Sequence, residues 1–348
     1  MILKMAIIGF GKSATRYHLP YLAIRDKIQV KYVCDVNYSP EKEDACRNLG
    51  CQFTNELNQL LDDPEIRLIT LCTPPESHYE LAKRCLAKGK HLIVEKPFCQ
   101  TVAETEEVLA LAKEAKLLAI PYQNRRFDSD YLTLKEVLKS GYVGRPVELE
   151  AHVDYFRPDK TIKVGHPLTG NFYGLGVHQI DQMVALFGEP HTVGYEIGNN
   201  QHPESAVDDY YDIRLYYEQF KVIVKTSQLV AAPYPRFLLH GTHGSYLKYG
   251  MDQQENDLKL GILPGASHFG EDSPEAYGKV TYQNQNGDWI HKSITSQQGD
   301  YGAFYDSAYD TLIHQKPPIV TADQIITTIK LLEQGFKQKN PSVFRWAD

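Results

Sequence analysis

A few short segments of this 348-residue chain carry residue types that bind or transform a small molecule. The first is Gly9-Phe10-Gly11-Lys12-Ser13-Ala14, which fits G-x-G-x-x-G/A. In such a turn the first glycine permits a sharp exit from a strand, and the second lets a pyrophosphate approach the backbone. The small sixth residue lets the next helix pack close. The helix start then offers amide donors and the positive end of its dipole to phosphate. Asp35 closes the next apolar run, Tyr32-Val33-Cys34-Asp35. A carboxylate there accepts from ribose hydroxyls and repels a 2′-phosphate. The pattern predicts a nicotinamide dinucleotide, NAD in preference to NADP, and the nearby Asn37 and Lys42 soften that preference.

Two more segments follow apolar runs, beyond the carboxyl ends of strands, where open parallel sheets bind ligands. They are Thr73-Pro74-Pro75-Glu76-Ser77-His78 and Glu95-Lys96-Pro97. A desolvated ammonium at Lys96 would polarise a carbonyl and help hold a cofactor; the competing reading is a surface lysine. His178 lies on a helical pattern with Asp181 one turn later. A lone histidine on such a face is more often a core or surface residue than a base, so the spacing alone leaves its role open. Tyr122, Gln123, Asn124, Arg125 and Arg126 follow another apolar run. Their amides and guanidiniums suit hydroxyls, a carboxylate or the cofactor, or else an interdomain hinge. Tyr155, Phe156, Arg157 and Tyr173 are candidate pocket walls, since aromatic faces suit pyranose rings. Tyr301 and Tyr305 are candidates to reach the cofactor from a late helix. The remaining histidines read as structural. His240 and His243 lack acids or cysteines at ligand spacing, so no metal is expected.

The elements that must position these residues are legible in outline. Met5–Gly9, Val30–Cys34, Leu68–Cys72, His91–Val94 and Leu117–Pro121 are short apolar runs suited to buried parallel strands. Helical patterns at Ser77–Lys88 and Ala103–Lys116 alternate with them, and Gly50 and Gly89 mark helix stops. Strand–helix alternation implies right-handed crossovers and a doubly wound α/β sheet. After a helix near Tyr131–Ser140 the pattern changes to long alternating runs. Val147–Phe156 reads as a strand. Tyr210–Tyr217 with Lys221–Leu229, and Lys279–Asn284 with Trp289–Ile294 across Asn286-Gly287, read as hairpins. Phe237–His240 and Ser245–Tyr249 add strands. Helices are expected at Leu175–Phe187, Tyr301–His314 and Ala322–Lys337, and a loop at Arg157–Gly170. The expected architecture is a Rossmann domain over 1–123 and an α+β domain over 124–348. The second domain holds a mostly antiparallel open sheet, with helices on one face and the other free for a partner subunit.

Composition bounds the rest. A net charge of −7 argues against nucleic acid or an anionic membrane as the main partner. No apolar run approaches the ~18 residues of a membrane span. A strand begins straight after Met1 without the basic region of a cleavable leader, so the cytoplasm is the expected compartment. The six cysteines, Cys34, Cys46, Cys51, Cys72, Cys85 and Cys99, form no C-x-x-C pair and read as reduced thiols.

Taken together, the glycine loop, Thr73–His78, Glu95-Lys96-Pro97, Asn124-Arg125-Arg126-Phe127 and Gly176-Val177-His178-Gln179-Ile180-Asp181 resemble the Gfo/Idh/MocA family of oxidoreductases in the family's order. That family includes glucose–fructose oxidoreductase and inositol dehydrogenase. The longer strings Tyr-Gln-Asn-Arg-Arg-Phe-Asp and Tyr-Gly-Leu-Gly-Val-His look like a bacterial subgroup of dehydrogenases. The resemblance implies that Lys96 reaches the nicotinamide and the substrate hydroxyl. It also implies that His178, on a helix lining the cleft, accepts a proton. It places Gly9–Ala14, Asp35, Thr73, Pro74, His78, Glu95, Lys96 and Gln123 at the cofactor. Tyr122, Asn124, Arg125, Tyr155, Arg157, Tyr173 and Asp181 fall at the substrate. The implied reaction is hydride transfer between NAD(P) and a polyol, sugar or cyclitol, in a homodimer or homotetramer formed through the open sheet face. One departure stands out: Gly174 occupies the place where the family carries an aspartate, four residues before the histidine. Two other readings share the architecture, a dinucleotide- or sugar-sensing regulator without turnover and a biliverdin-reductase-like reductase.

Overall fold

A computed structural model describes residues 1–158, 165–337 and 340–341. Part of the expected loop at Arg157–Gly170 therefore lies outside the described residues. The chain packs as two compact units. The first comprises Met1–Asn124, Asp257–Phe269 and Asp300–Ile329; the second comprises Arg125–Asn256, Gly270–Gly299 and the described residues from Lys330. The later segments join the first unit through specific contacts. The Tyr309 hydroxyl donates to the Met1 carbonyl at 2.7 Å, Arg25 pairs with Asp300 and Asp306, and Tyr21 packs edge-on against Phe269.

In the first unit, strands β1 (Leu3–Ile8), β2 (Ile28–Cys34), β3 (Gln52–Thr54), β4 (Leu68–Leu71), β5 (His91–Val94) and β6 (Ala119–Pro121) form one sheet of order β3-β2-β1-β4-β5-β6. Every pairing is parallel. This is the expected doubly wound sheet, and its order reverses between β1 and β4. The apolar runs are continuous because both faces are covered: β4 is buried at every position. Between strands lie α1 (Leu19–Leu22), α2 (Pro40–Asn48), α3 (Leu57–Leu61), α4 (His78–Ala87) and α5 (Val102–Glu114). A π-turn, Ala14–His18, precedes α1. Ser39 caps α2, and Thr101 with Glu104 forms a reciprocal capping box at α5, which fixes where each helix begins. At Gly50, whose φ is +72°, the Cys51 amide donates back to the Cys46 carbonyl at 3.0 Å. That Schellman-type closure packs the two thiols side by side without a disulfide between them.

The second unit holds an eight-stranded sheet of order β14-β13-β12-β11-β7-β10-β9-β8. Its strands are β7 (Pro146–His152), β8 (Thr192–Gly198), β9 (Tyr210–Tyr216), β10 (Lys221–Ser227), β11 (Phe237–Gly241), β12 (Gly244–Lys248), β13 (Gly278–Gln283) and β14 (Trp289–Ile294). Every pairing is antiparallel except β7 with β10. Leu149, Ala151, Ile213, Leu215, Val222 and Val224 alternate inward and are fully buried. Helices α6 (Ser129–Ser140) and α7 (Val177–Phe187) belong to this unit; α8 (Gln253–Lys259) spans its edge, α9 (Ala303–His314) lies in the first unit, and α10 (Ala322–Lys337) runs from the first into the second. The expected strand to Phe156 ends at His152, and Phe156 makes only an isolated bridge to Leu229.

Lys248 is the largest polar departure from the sheet's apolar interior, at 1% exposure. Its ammonium donates to Asp272 at 2.8 Å and to the Tyr249 and Ala276 carbonyls. A buried charge is tolerated only when paired and hydrogen-bonded. Lys248→Ala strands the Asp272 carboxylate and is expected to cost about 3–5 kcal/mol, measured by urea unfolding. Lys248→Met combined with Asp272→Leu should recover most of that loss.

Candidate functional site

The turn after β1 is shaped by close backbone approach. Gly9 has φ +98°, and a Cβ there would lie 2.4 Å from the Cys72 carbonyl oxygen, so no side chain fits. At Gly11 a Cβ would meet nothing within 4 Å, which leaves open space against the backbone where a phosphate would lie. Phe10, Lys12 and Ser13 continue the turn, and Ala14 is buried against the sheet. Gly9–Ser13, Cys34–Asn37, Thr73, Pro74 and Ser77 line a cavity of about 690 Å³.

Asp35 sits at the mouth of that cavity. Its carboxylate accepts from the Phe10 amide at 2.8 Å, the Asn37 amide at 2.8 Å and the Lys42 ammonium at 2.9 Å. Burial works to raise its pKa, but the Lys42 bond and the two amides hold the carboxyl below its ordinary value. A carboxylate accepts at about four positions, so one remains for a ribose hydroxyl. Gln123, just after β6, holds a side-chain oxygen that is buried without a hydrogen-bond partner among the described residues. The open space at Gly11, the acceptor at Asp35 and the orphaned Gln123 oxygen fit a dinucleotide.

Glu95 and Lys96 leave β5 at the same sheet edge. The Glu95 carboxylate accepts from Ser13 Oγ, from His18 Nε2 at 2.9 Å and from the Lys96 amide at 3.0 Å. Burial would push this carboxyl up. The bonds from His18 and Ser13 and the charges of His18 and Lys96 outweigh it and hold the group at about 2. The Lys96–Pro97 peptide is cis. The His78 ring is buried between the Thr73 and Pro97 carbonyls, 2.9 Å from each. Tyr122 is buried, donates to the Tyr17 carbonyl at 2.7 Å and covers His18, and Tyr305 reaches the other nitrogen of that histidine. Tyr301 is buried against Tyr21.

The second unit carries His178, which is 9% exposed and lines a small cavity with Arg125, Val153, Leu175, Gln179, Arg236 and Met251. Its helix is seated by buried polar contacts. The Gln179 amide donates to the Ala151 carbonyl at 2.9 Å and accepts from Tyr211, and Gln182 donates to the Arg125 carbonyl at 2.6 Å. Asp181, which the sequence reading assigns to His178 or a substrate hydroxyl, takes two bonds from Arg126 at 2.7 and 2.8 Å. Arg125 pairs with Asp128 and Glu255, and Asn124 is buried. Arg157 stacks over Tyr155 at 3.9 Å, Phe156 is exposed, and Tyr173 packs among Phe172 and Phe336 in the core. A Cβ at Gly174 would meet nothing within 4 Å, so space does not explain the missing acid. Sequence reasoning missed His18, Gln179, Gln182 and Arg236, because their partners lie far away in the chain and nothing in their local pattern signals them.

A parallel sheet reversing at a glycine turn, with an acid directly after β2 bonded to that turn, defines a Rossmann-type dinucleotide-binding fold. Residues 3–122 match the model of an oxidoreductase family described by its NAD-binding Rossmann fold, and residues 135–346 match that family's C-terminal alpha/beta domain. The chain belongs to this family, the Gfo/Idh/MocA oxidoreductases. It is 44% identical to the uncharacterized oxidoreductase YhhX of Escherichia coli, over 98% of both chains. It is 31% identical to scyllo-inositol 2-dehydrogenase (NADP(+)) IolW of Bacillus subtilis, over 96% of this chain and 93% of that one. A crystal structure of an oxidoreductase from Bacillus cereus superposes with a TM-score of 0.95 at 50% identity, over 99% of each chain. Among the described residues no helix is long and apolar enough to cross a membrane.

The lowered Glu95 value has a direct consequence. A carboxyl whose folded-state value lies below its unfolded one stabilises the fold above the unfolded value, and that stability is lost as pH falls toward the folded one. Between the ordinary 4.5 and about 2, the wild type should lose urea resistance more steeply than Glu95→Gln. Parallel pH slopes in the two proteins would contradict this.

Proposed function

We propose that this protein transfers a hydride between a nicotinamide cofactor and a carbinol carbon of a polyhydroxylated substrate: a sugar, cyclitol or sugar derivative. The observation that carries this reading is the lysine of Glu95-Lys96-Pro97 leaving β5 at the carboxyl end of the parallel sheet, the end at which the residues following β1, β2 and β4 line the cavity of about 690 Å³. When bound, the nicotinamide ring accepts or supplies the hydride. The chain's own residues then have two tasks. His178 takes the hydroxyl proton as general base, and the Lys96 ammonium stabilises the negative charge that grows on the oxygen. Asp181 is assigned to hold Arg126. The name of the Bacillus relative, a scyllo-inositol dehydrogenase, supports a cyclitol among the substrates to be surveyed first. We place the reaction in the cytoplasm, in a homo-oligomer formed through the outward face of the eight-stranded sheet.

Gly174 favours one competing reading, a sensor that binds dinucleotide without turnover. A survey of polyols and sugars with NAD and NADP, followed by absorbance of the reduced cofactor, separates them; saturable binding with no turnover of any compound would overturn the enzyme reading. With a substrate in hand, Lys96→Ala and His178→Ala should each lower kcat roughly 100-fold or more, in the range typical of lost acid–base or electrostatic groups. Full activity in both would refute the assigned roles. Gly174→Asp has room to fold and should shift the acidic limb of the kcat/KM profile upward, because an added carboxylate favours the protonated imidazole.

Lys42 sets the cofactor preference in this reading. Its charge lies against Asp35 and tempers the repulsion of a 2′-phosphate. Lys42→Ala should weaken NADP binding several-fold more than NAD binding, measured by calorimetry.

A further inference from the structure

The aim of a lysine side chain depends on how firmly the residues on either side of it are held. In this chain both neighbours of Lys96 are held by fully buried histidines. On the preceding side, one Glu95 oxygen accepts from His18 Nε2 at 2.9 Å and from Ser13 Oγ, while the other accepts the amide of Lys96 itself at 3.0 Å. His18 is oriented in turn. Its Nδ1 lies 2.7 Å from the Tyr305 hydroxyl, that hydroxyl lies 3.2 Å from Thr70 Oγ1, and Tyr122 covers the ring face at 4.0 Å. On the following side, the Pro97 carbonyl lies 2.9 Å from His78 Nδ1, and His78 Nε2 lies 2.9 Å from the Thr73 carbonyl.

Both imidazoles are 0% exposed. Polar rings buried this deeply cost desolvation unless their nitrogens are bonded, and an apolar side chain would fill either place without that cost. Their bonds also converge. One leads to residue 95 and the other to residue 97, and each histidine is anchored at its far nitrogen to a different part of the first unit.

We propose that His18 and His78 are positioning residues for Lys96. His18 fixes the residue before it through the Glu95 carboxylate, and His78 fixes the residue after it through the Pro97 carbonyl. Ser13, in the glycine turn, bonds the same carboxylate, so this bracket also ties the cofactor loop to the lysine. The inference rests on the reading of Lys96 as the group that meets the reacting oxygen, and its test contains a readout that does not.

Amide replacements separate the bonds from the packing. An Asn side-chain amide stands near where Nδ1 stood, and a Gln amide near Nε2. His18→Gln therefore keeps the bond to Glu95, whereas His18→Asn keeps only the bond to Tyr305. His78→Asn keeps the bond to Pro97, whereas His78→Gln keeps only the bond to Thr73. With NAD saturating and a substrate from the survey, His18→Asn and His78→Gln should lose roughly 10- to 100-fold in kcat, the cost of about 1 Å of misplacement, while the bond-keeping variants stay within about threefold of wild type. The second readout needs no substrate: the rate at which trinitrobenzenesulfonate modifies Lys96, followed by peptide mass spectrometry with and without NAD. It should change several-fold in the bond-losing pair and lose its protection by NAD.

Equal behaviour of the Asn and Gln variants at each position, or an ordering that follows side-chain size alone, overturns the proposal. If the wild type turns over no compound in the survey, the functional reading fails, and the modification rates still decide whether the histidines hold Lys96. Should His18→Asn fail to fold, Tyr305→Phe removes the hydroxyl that orients the ring and keeps its bulk. A several-fold change in the Lys96 modification rate is then expected, and an unchanged rate counts against the proposal.

Discussion

The first unit depends on how closely the exits of neighbouring parallel strands approach one another. The Gly9 amide donates to the Cys34 carbonyl at 2.7 Å, the Cys72 amide to Ile8 at 2.7 Å, the Glu95 amide to Leu71 at 2.8 Å and the Tyr122 amide to Val94 at 2.7 Å. The ladder thus continues one residue past the end of each strand, and the four chains diverge only there. Gly9 is the tightest point, because the Cys72 carbonyl already occupies the place of its Cβ. The residues proposed to bind or react in this unit hang from that edge: the glycine turn, Asp35, the Thr73–Ser77 segment and Lys96. A doubly wound sheet leaves such an edge open at the point where its strand order reverses, since the helices depart to opposite faces.

The second unit solves a different problem, that of seating one helix on a wide sheet with polar groups buried beneath it. Val177, Ile180, Met183 and Val184 supply the apolar face of α7, but Gln179 and Gln182 are buried as well. Their amides find backbone carbonyls of β7 and of the segment at Arg125, so the helix is fixed in rotation and in register. Around them Arg126 pairs with Asp181, and Arg236 joins Asp130 to Gln182 and the His152 carbonyl. Asp252 is fully buried beside them. Burial and the neighbouring Asp128 and Asp130 push its carboxyl well above the usual range, and it accepts from the Ser129 amide at the start of α6. Removing either partner of a buried ion pair leaves a stranded charge, which makes this cluster an all-or-none unit.

Some elements were plain in the sequence and others were not, for reasons that differ. β1, β2, β4 and β5 are apolar runs because both of their faces are covered, and that pattern needs no partner to be recognised. β3, Gln52-Phe53-Thr54, is three residues long at the sheet edge, and β8 is interrupted by Gly194. Neither carries enough side chain to show a period. The helix after the glycine turn begins as a π-turn, and so does the approach to α7.

By itself the sequence determined what is local: the turn at Gly9–Ala14, the acid at the end of β2, the lysine at the end of β5, the helix bearing His178 and the resemblance these make together. A turn, a cap or a strand end is set by residues within a few positions, so its chemistry is written where it acts. Only the tertiary structure decided which buried polar groups face one another. His18 and Glu95 are 77 residues apart and His18 and Tyr305 are 287 apart. Such pairs depend on the order in which parallel strands cross and on a late helix returning to the first unit. No spacing in the chain encodes that meeting; the packing that brings the strands and the late helix together does.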